Sequence, residues 1–346
     1  MSIHYVRSIT TSHDGHGNAR TSLISPIGGV VSHVRAVDDL FLAFAGRGRR
    51  PEHAPPLVGV GVTEDDALRR ALGLYAASSW EAPAMQWASA DELGDEALPV
   101  EELARTAPLE TRDRIRWIEG FALDDGRPIW VPSILVYLGL PVAVEAEAFW
   151  PASLAGLAVE QDLGGAVLAG LLDLVARDAL AVASTREAPL PRISSATDQT
   201  AVFDATTDVG IPTALAHGST SFEVGVGAAA TIETAQGFAL ADLVRRRGRR
   251  ARETYPEEPA PDPTFEPGGS NGEALPPLQA EPVDLSKPAL VARLRRVGLA
   301  GYAIDLTTDE LKRAGLCAVR VVVPGLSPLP PKPGWTDHAR LARVAP

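Results

Sequence analysis

The segment Gly59-Val-Gly-Val-Thr-Glu-Asp-Asp-Ala67 contains a complete transition from a strand to a helix. A strand end made of small residues is followed by a polar turn and then by an amphipathic helix. Thr63 is a favourable N-cap, and the three acidic residues after it suit the positive end of the helix dipole. The helix is predicted to bury a stripe of apolar residues at helical spacing: Ala67, Leu68, Ala71, Leu72 and Tyr75.

This strand–turn–helix unit recurs along the chain. Gly225-Val-Gly-Ala-Ala-Ala-Thr-Ile-Glu-Thr-Ala235 opens a second helix, and Gly156-Leu-Ala-Val-Glu-Gln-Asp-Leu-Gly-Gly-Ala166 opens another in a looser form. The motif Asp-x-Thr-Thr-Asp also occurs twice, at 204–208 and 305–309. The copies are too few and too unequally spaced for a solenoid, so they predict an α+β fold with pseudo-symmetric strand–helix units and mixed sheets.

Three predictions concern single elements. In the helix after Gly225, four residues at helical spacing are expected to face the core. They are Ala235, Phe238, Ala239 and Leu243. The stretch 129–137 is apolar and predicts a strand, in which Pro132 implies an edge or a bulge. A helix is expected to begin at Ser286 and to end at Gly298.

The domain organisation follows from shifts in composition. Residues 1–22 have little apolar pattern and are expected to form an N-terminal arm, followed by one large domain over 23–331 and a tail over 332–346. Within the domain, residues 252–288 contain nine prolines and eight acidic residues without apolar periodicity. This composition predicts a flexible, solvated insertion.

Composition excludes several classes of protein. The chain has 346 residues, a net charge of −12 and a single cysteine, so neither a disulfide framework nor a cysteine-based zinc site is expected. Acidity argues against nucleic acid as a partner. There is no apolar run long enough to span a membrane and no secretory signal, so we expect a cytoplasmic protein without a membrane partner.

Searches for chemical motifs find no P-loop, no complete dinucleotide fingerprint, no nucleophile elbow and no metal site. What remains is a set of charged residues on otherwise apolar helices. Asp173 and Arg177 share one helix face, and Asp242 shares another with Arg245 and Arg246. Such spacing is typical of intrahelical ion pairs, which are worth about 0.3–0.5 kcal/mol each.

The ordered series of segments resembles the YcaO family over about 23–331. The segment 59–67 is similar to the family's glycine-rich opening, and Trp117-Ile-Glu-Gly-Phe-Ala-Leu-Asp-Asp-Gly-Arg-Pro-Ile-Trp-Val-Pro132 is similar to its central segment. Gly170-Leu-Leu-Asp-Leu-Val-Ala-Arg-Asp178 resembles the family's E-x-x-E-R-D helix, and 204–212 and 319–326 complete the series. The resemblance implies a YcaO-like single domain and a family that uses ATP to activate backbone amides of ribosomal peptides, giving azolines, thioamides or amidines.

The chain departs from the family where the resemblance places nucleotide and Mg²⁺ contacts. Arg70, Gly73 and Leu74 stand in place of E-x-x-E-R on the first helix, Ala176 replaces a glutamate, and Arg245 replaces the glutamine of E-x-x-Q. Aspartate is shorter than glutamate by one bond, about 1.5 Å, and Mg²⁺ requires near-octahedral oxygen ligands. The resemblance implies that five residues are remnants of a nucleotide site, and it assigns no catalytic residue. The five are Asp173, Arg177, Asp178, Asp242 and Arg320.

The leading hypothesis is therefore a non-catalytic YcaO-like component of a pathway for ribosomally synthesised, post-translationally modified peptides. It would bind the precursor (leader) peptide or act as a scaffold for a second, active YcaO or a leader-binding E1-like partner protein, as a homo- or heterodimer. No cofactor is expected under this hypothesis. One alternative is an active ATP-dependent cyclodehydratase with a rearranged site, which would need ATP and Mg²⁺, and another is an enzyme of different chemistry that reuses the cleft.

A run of arginines at the end of the third helix has two interpretations. Basic residues at a helix C-terminus offset its dipole, which is the interpretation we favour. The alternative is a docking patch for an acidic leader peptide, because guanidinium groups pair well with carboxylates. The run consists of Arg245, Arg246, Arg247, Arg249 and Arg250.

Overall fold

The computed structural model describes residues 9–13, 19–23, 33–37, 40–45, 57–79, 84–100, 103, 109–149, 153–185, 190–197, 200–220, 223–250 and 282–327. The strands in these ranges are β1 (Ile9–His13), β2 (Ala19–Leu23), β3 (His33–Val37), β4 (Leu40–Ala45), β5 (Leu57–Gly61), β6 (Gln86–Ala88), β7 (Ile115–Ala122), β8 (Pro128–Pro132), β9 (Leu157–Glu160), β10 (Arg192–Thr197), β11 (Thr200–Asp204), β12 (Thr213–His217), β13 (Val224–Ala228), β14 (Tyr302–Asp305) and β15 (Cys317–Val322). The helices are α1 (Glu64–Ala77), α2 (Ala90–Leu93), α3 (Ser133–Val136), α4 (Leu163–Thr185), α5 (Ile232–Arg250), α6 (Lys287–Arg296) and α7 (Asp309–Arg313), with short 3₁₀ helices at Gly94–Glu96 and Glu145–Phe149.

The strands form three sheets. The first has the order β1-β2-β3-β4-β5, the second β10-β11-β12-β13, and the third β6-β7-β14-β15-β9 with β8 paired to β7. The fold is α+β, as predicted. The strand pairs in the described sheets are antiparallel rather than mixed, because helices α1 and α4 carry the chain from one sheet to the next instead of to a parallel neighbour.

Two strand–helix units are built alike. Helix α1 packs on β5 and β4, and α5 packs on β13 and β12. A Cβ atom on Gly59 would lie 2.1 Å from the Ala67 carbonyl oxygen, and one on Gly225 would lie 2.2 Å from that of Ala239. Only glycine permits this close approach of helix and strand, so the repeated sequence pattern corresponds to a repeated packing geometry.

The close contacts also fix the register between the two units. Gly61 approaches the Ala67 amide nitrogen, and Gly227 approaches the Ala239 amide nitrogen in the same way. Ala67 of α1 therefore corresponds to Ala239 of α5. The Asp-x-Thr-Thr-Asp motifs correspond too, because each begins with an aspartate that accepts a hydrogen bond from the amide two residues later, at 2.9 Å in one copy and 2.8 Å in the other.

Helix α4 connects the third sheet to the second of these units. It packs on β15 and β9 and also contacts β13. The turn before β9 contains Gly156, whose φ of 78° lies in the left-handed region that favours glycine. Since the apolar side of α4 belongs to the core cluster that also contains β15 and β13 residues, it joins the second and third sheets.

The predicted features of α1 are confirmed. The Thr63 hydroxyl accepts a hydrogen bond from the Asp66 amide at 3.1 Å, and the helix begins at Glu64. The predicted stripe is buried, and α6 also begins directly after Ser286. No helix in the described part of the chain is long and apolar enough to cross a membrane.

One single-element prediction is right only in part, and another is wrong. The strand expected over 129–137 ends at Pro132, which has no N–H to continue the ladder, and α3 follows it. Phe238 does not face inward but is 53 % exposed. Its Cβ lies beside Gly227, at the edge of the stripe made by Ala235 and Ala239, and so the ring projects outward.

The structure describes only part of the predicted N-terminal arm and only part of the predicted insertion. β1 and most of β2 fall within 1–22 and form an antiparallel pair at one edge of the first sheet. Residues 252–281 and the tail over 332–346 lie outside the described residues. The last part of the predicted insertion is fixed, because the Val283 amide donates to the Ala230 carbonyl at 2.8 Å and α6 starts at Lys287.

Candidate functional site

Helices α1, α4 and α5 meet at one cleft, whose wall is completed by β5 and β9. The cleft volume is about 180 Å³. One part of the wall is apolar, with Val58, Val60, Leu74, Leu154 and Leu157. Nine charged residues also line it: Asp66, Arg69, Arg70, Glu160, Asp173, Arg177, Asp242, Arg245 and Arg246.

Asp242 is the most enclosed carboxylate of the cleft. It is 4 % exposed, and its Oδ2 accepts hydrogen bonds from the Val226 amide at 3.0 Å and from Arg246 Nε at 2.9 Å. Its Oδ1 accepts a hydrogen bond from Arg245 Nη2. Both carboxylate oxygens are therefore engaged, one by each arginine.

Asp173 is arranged in the same way on α4. Its Oδ2 accepts hydrogen bonds from the Gly156 amide at 2.9 Å and from Arg177 Nε at 3.0 Å. The pairing predicted from the i, i+4 spacing is confirmed for both Asp173 and Asp242. The backbone amide at each carboxylate comes from a neighbouring loop or strand, which fixes the acid against the rest of the fold.

Helix α1 contributes two arginines that behave differently. Arg69 reaches across to β9, where it forms an ion pair with Glu160. Arg70 donates its Nε to Asp66 at 2.8 Å, and its side chain is 39 % exposed. Within the described residues the two Nη atoms of Arg70 have no protein partner.

The charged groups do not form a donor set for Mg²⁺. Mg²⁺ demands near-octahedral oxygen ligands at about 2.0–2.1 Å, usually carboxylates and water. In this cleft each carboxylate already faces a guanidinium, and five arginines oppose four acids. No group of three or more His, Cys, Asp and Glu side chains within the described ranges is placed to hold a metal ion. Each carboxylate of the cleft would therefore have to exchange a guanidinium for Mg²⁺ before it could act as a ligand.

The register between the two units shows how the charges are distributed. Because Ala67 corresponds to Ala239, Arg70 occupies the position of Asp242. Gly73 and Leu74 occupy the positions of Arg245 and Arg246. Bulky cations thus line the α5 side of the cleft, whereas the equivalent places on α1 hold only small or apolar side chains.

The remaining predicted site residues lie outside the cleft. Asp178 is 0 % exposed, and its Oδ1 accepts a hydrogen bond from the Ser327 amide at 2.8 Å, which fixes the segment after β15. Ala176 is buried in the core. These two positions of the α4 motif therefore serve packing in this structure.

Arg320 is buried behind the wall of the cleft. It donates to the carbonyl oxygens of Leu135 at 3.2 Å and Ser153 at 2.5 Å. Burial lowers the pKa of Arg320 to about 10, while the charge of Asp173 opposes that shift and the charge of Arg177 adds to it. The guanidinium stays charged at neutral pH and holds together β15, α3 and the loop before β9.

The arginine run at the end of α5 divides between two places. Arg245 and Arg246 turn into the cleft, so they do not belong to an outward-facing patch. Arg247 forms an ion pair with Glu223 at 2.6 Å. The side chains of Arg249 and Arg250 lie outside the described residues.

Sequence reasoning missed two acids of the cleft. Asp66 appeared only as a residue of the first helical turn, although it also pairs with Arg70 four residues later. Glu160 ends β9 and pairs with Arg69, which is 91 residues away in the chain. The i, i+4 spacing could have revealed the first pair, but no local signal points to the second.

Comparison with known proteins identifies the family. The family model described as "YcaO cyclodehydratase, ATP- and Mg²⁺-binding" matches residues 58–327, which is most of the chain. The chain belongs to the YcaO family, as the sequence resemblance suggested. No curated protein sequence matches it.

Several solved structures share the fold. A heterocyclase in complex with substrate and cofactor has a TM-score of 0.63 at 18 % identity, over 83 % of this chain and 48 % of the heterocyclase chain. YcaO from Methanopyrus kandleri, bound with AMPPCP and Mg²⁺, has a TM-score of 0.62 at 20 % identity, over 87 % of each chain. The E. coli microcin synthetase McbBCD complex with pro-MccB17 bound has a TM-score of 0.61 at 11 % identity, over 89 % of this chain and 91 % of that chain. This chain spans about half the length of the heterocyclase.

Proposed function

We propose that this chain is a non-catalytic YcaO-family component of a peptide-modification pathway, which binds the precursor peptide or acts as a scaffold for an active modifying enzyme. The observation that carries the proposal is the pairing of each acid in the cleft with an arginine. Mg²⁺ would have to displace these guanidinium groups before it could reach a carboxylate. No cofactor is needed for the proposed role.

The proposed partners follow the E. coli microcin synthetase McbBCD complex with pro-MccB17 bound. For this chain we propose a precursor peptide and either a second, active YcaO protein or a leader-binding E1-like protein. The assembly would be a homo- or heterodimer.

The alternative is an active ATP-dependent cyclodehydratase with a rearranged nucleotide site. It is favoured by the description of the matching family and by the AMPPCP and Mg²⁺ in the Methanopyrus protein. Activation of a backbone amide would then consume ATP in step with peptide modification.

Calorimetric titration with Mg²⁺-ATP and a phosphate-release assay with the precursor peptide separate the two functions. We expect neither binding at millimolar Mg²⁺-ATP nor phosphate release by the wild-type protein. The variant Arg70→Glu/Gly73→Glu/Arg245→Gln restores both glutamates on α1 and the glutamine on α5, and it leaves Leu74 and Asp242 unchanged. A Cβ at Gly73 would meet Leu157 and Val159 at 3.5 Å, an ordinary contact, so the variant is expected to fold.

The triple variant is expected to gain Mg²⁺-dependent ATP binding. Arg112→Glu is the matched control, because its side chain is 78 % exposed and lies outside the cleft. Peptide-dependent phosphate release by the wild-type protein would overturn the proposal and establish the alternative.

A further inference from the structure

Arg70 combines three properties that the other arginines of the cleft do not share in the described structure. Its guanidinium lines the cleft, its side chain is 39 % exposed, and its only described hydrogen bond uses Nε. A guanidinium has five N–H donors in a planar fork, which suits the two oxygens of a carboxylate or phosphate. The fork at the Nη end of Arg70 is therefore available to a ligand.

The surrounding charge favours an anion. The chain carries a net charge of −12, yet the residues that line this cleft include five arginines and four carboxylates. All four carboxylates are paired with arginines, two of them with Asp242, so the residues that line the cleft carry a net charge of +1. The cleft is therefore less acidic than the protein as a whole, and an anion would meet no unpaired carboxylate among its described lining residues.

The size and the walls of the cleft restrict what that anion is attached to. The volume of about 180 Å³ is below the roughly 300–1,000 Å³ typical of pockets for drug-sized ligands. Val58, Leu74 and Leu157 offer apolar surface next to the charged part. The cleft suits a small ligand in which an oxyanion group is attached to a compact apolar part.

We propose that the cleft binds an oxyanion, a carboxylate or a phosphate, through Arg70 and without a divalent cation. This inference rests on the proposed function, in which Mg²⁺ does not occupy the cleft. A carboxylate would come from an acidic residue of a peptide, and a phosphate from a free phosphorylated metabolite.

Isothermal titration of the full chain in EDTA tests the proposal with two probes. One is inorganic pyrophosphate, and the other is a capped peptide with two glutamates between leucines, compared with its glutamine counterpart. We expect at least one probe to bind in EDTA. Arg70→Gln should weaken that binding at least tenfold, because a hydrogen bond between charged groups is lost. Arg112→Gln removes the same charge outside the cleft and should leave binding unchanged.

The outcomes are distinct. Preference for the glutamate peptide identifies a carboxylate site, and preference for pyrophosphate identifies a phosphate site. Binding that Arg70→Gln leaves unchanged, or no binding of either probe, overturns the proposal while the non-catalytic function stands. Binding of pyrophosphate only when Mg²⁺ is added overturns the proposal and also favours the ATP-dependent alternative.

Discussion

Replacing Asp242 with alanine tests whether the cleft is held together by buried ion pairs. The substitution removes the counter-charge of Arg245 and Arg246, whose side chains are only 10 % and 13 % exposed. It also leaves the Val226 amide without its acceptor. Breaking a buried ion pair by removing one partner costs about 3–5 kcal/mol, because an uncompensated charge stays in the interior. We therefore expect a loss of about 4 kcal/mol in the free energy of unfolding.

The loss converts into a measurable shift in melting temperature. An unfolding entropy of about 2.1 cal/mol/K per residue gives about 0.7 kcal/mol/K for 346 residues, so Tm should fall by about 6 °C in scanning calorimetry. Asp66→Ala is the control, because its ion pair with Arg70 is 30–39 % exposed and should contribute less than about 1 kcal/mol. The variant Asp242→Leu/Arg245→Met/Arg246→Met should recover most of the loss, since no unpaired charge remains.

A fall of less than about 1 °C for Asp242→Ala would refute this reasoning, because it would mean that water already solvates the arginines. A triple variant as unstable as the single one would also contradict it, since the instability would then come from packing rather than from charge.

Three further predictions concern the stability of the fold. Gly225→Ala should lower the free energy of unfolding in urea by about 1–3 kcal/mol, because the new Cβ would meet a backbone carbonyl oxygen at 2.2 Å. Burial acts to raise the pKa of Glu147, but hydrogen bonds from Arg116 and from backbone amides hold it below its usual value of 4.5. The stability from Glu147 is present above that pH and is lost in more acidic solution, so Glu147→Gln should lower Tm at pH 7 and flatten its fall in acid. Asp178→Ala should cost about 1–3 kcal/mol and speed hydrogen exchange at the Ser327 amide, whereas Asp178→Asn should retain most of the protection.

Features encoded in short stretches of sequence were predictable. The cap at Thr63, the stripe of α1 and the pairs of Asp173 and Asp242 with arginines all depend on residues within four positions of one another. Local backbone geometry determines such contacts, so the sequence spacing carries the information. The family resemblance added the order of the segments, and the family match confirms it.

Features that depend on distant residues were not predictable. Glu160 meets Arg69 only because β9 and α1 are brought together by the third sheet and α4. Phe238 has the spacing of a buried residue, but Gly227 sits against its Cβ and the ring is left outside. In both cases tertiary packing determines what the side chain contacts, and helical periodicity alone does not contain that information.

The register between the two strand–helix units explains why the accessible Nη atoms of Arg70 and the open space lie on the same side of the cleft. On α5, the position equivalent to Arg70 is an acid that two arginines neutralise, and those arginines line the cleft. On α1, Gly73 and Leu74 leave that volume open beside Arg70. Glycine at position 73 costs the helix about 0.5–1 kcal/mol of stability relative to alanine. Crowding does not require a glycine there, because a Cβ on Gly73 would meet only ordinary contacts. The α1 side thus combines an accessible guanidinium with space for a ligand, and the α5 side provides a rigid, neutralised wall opposite it.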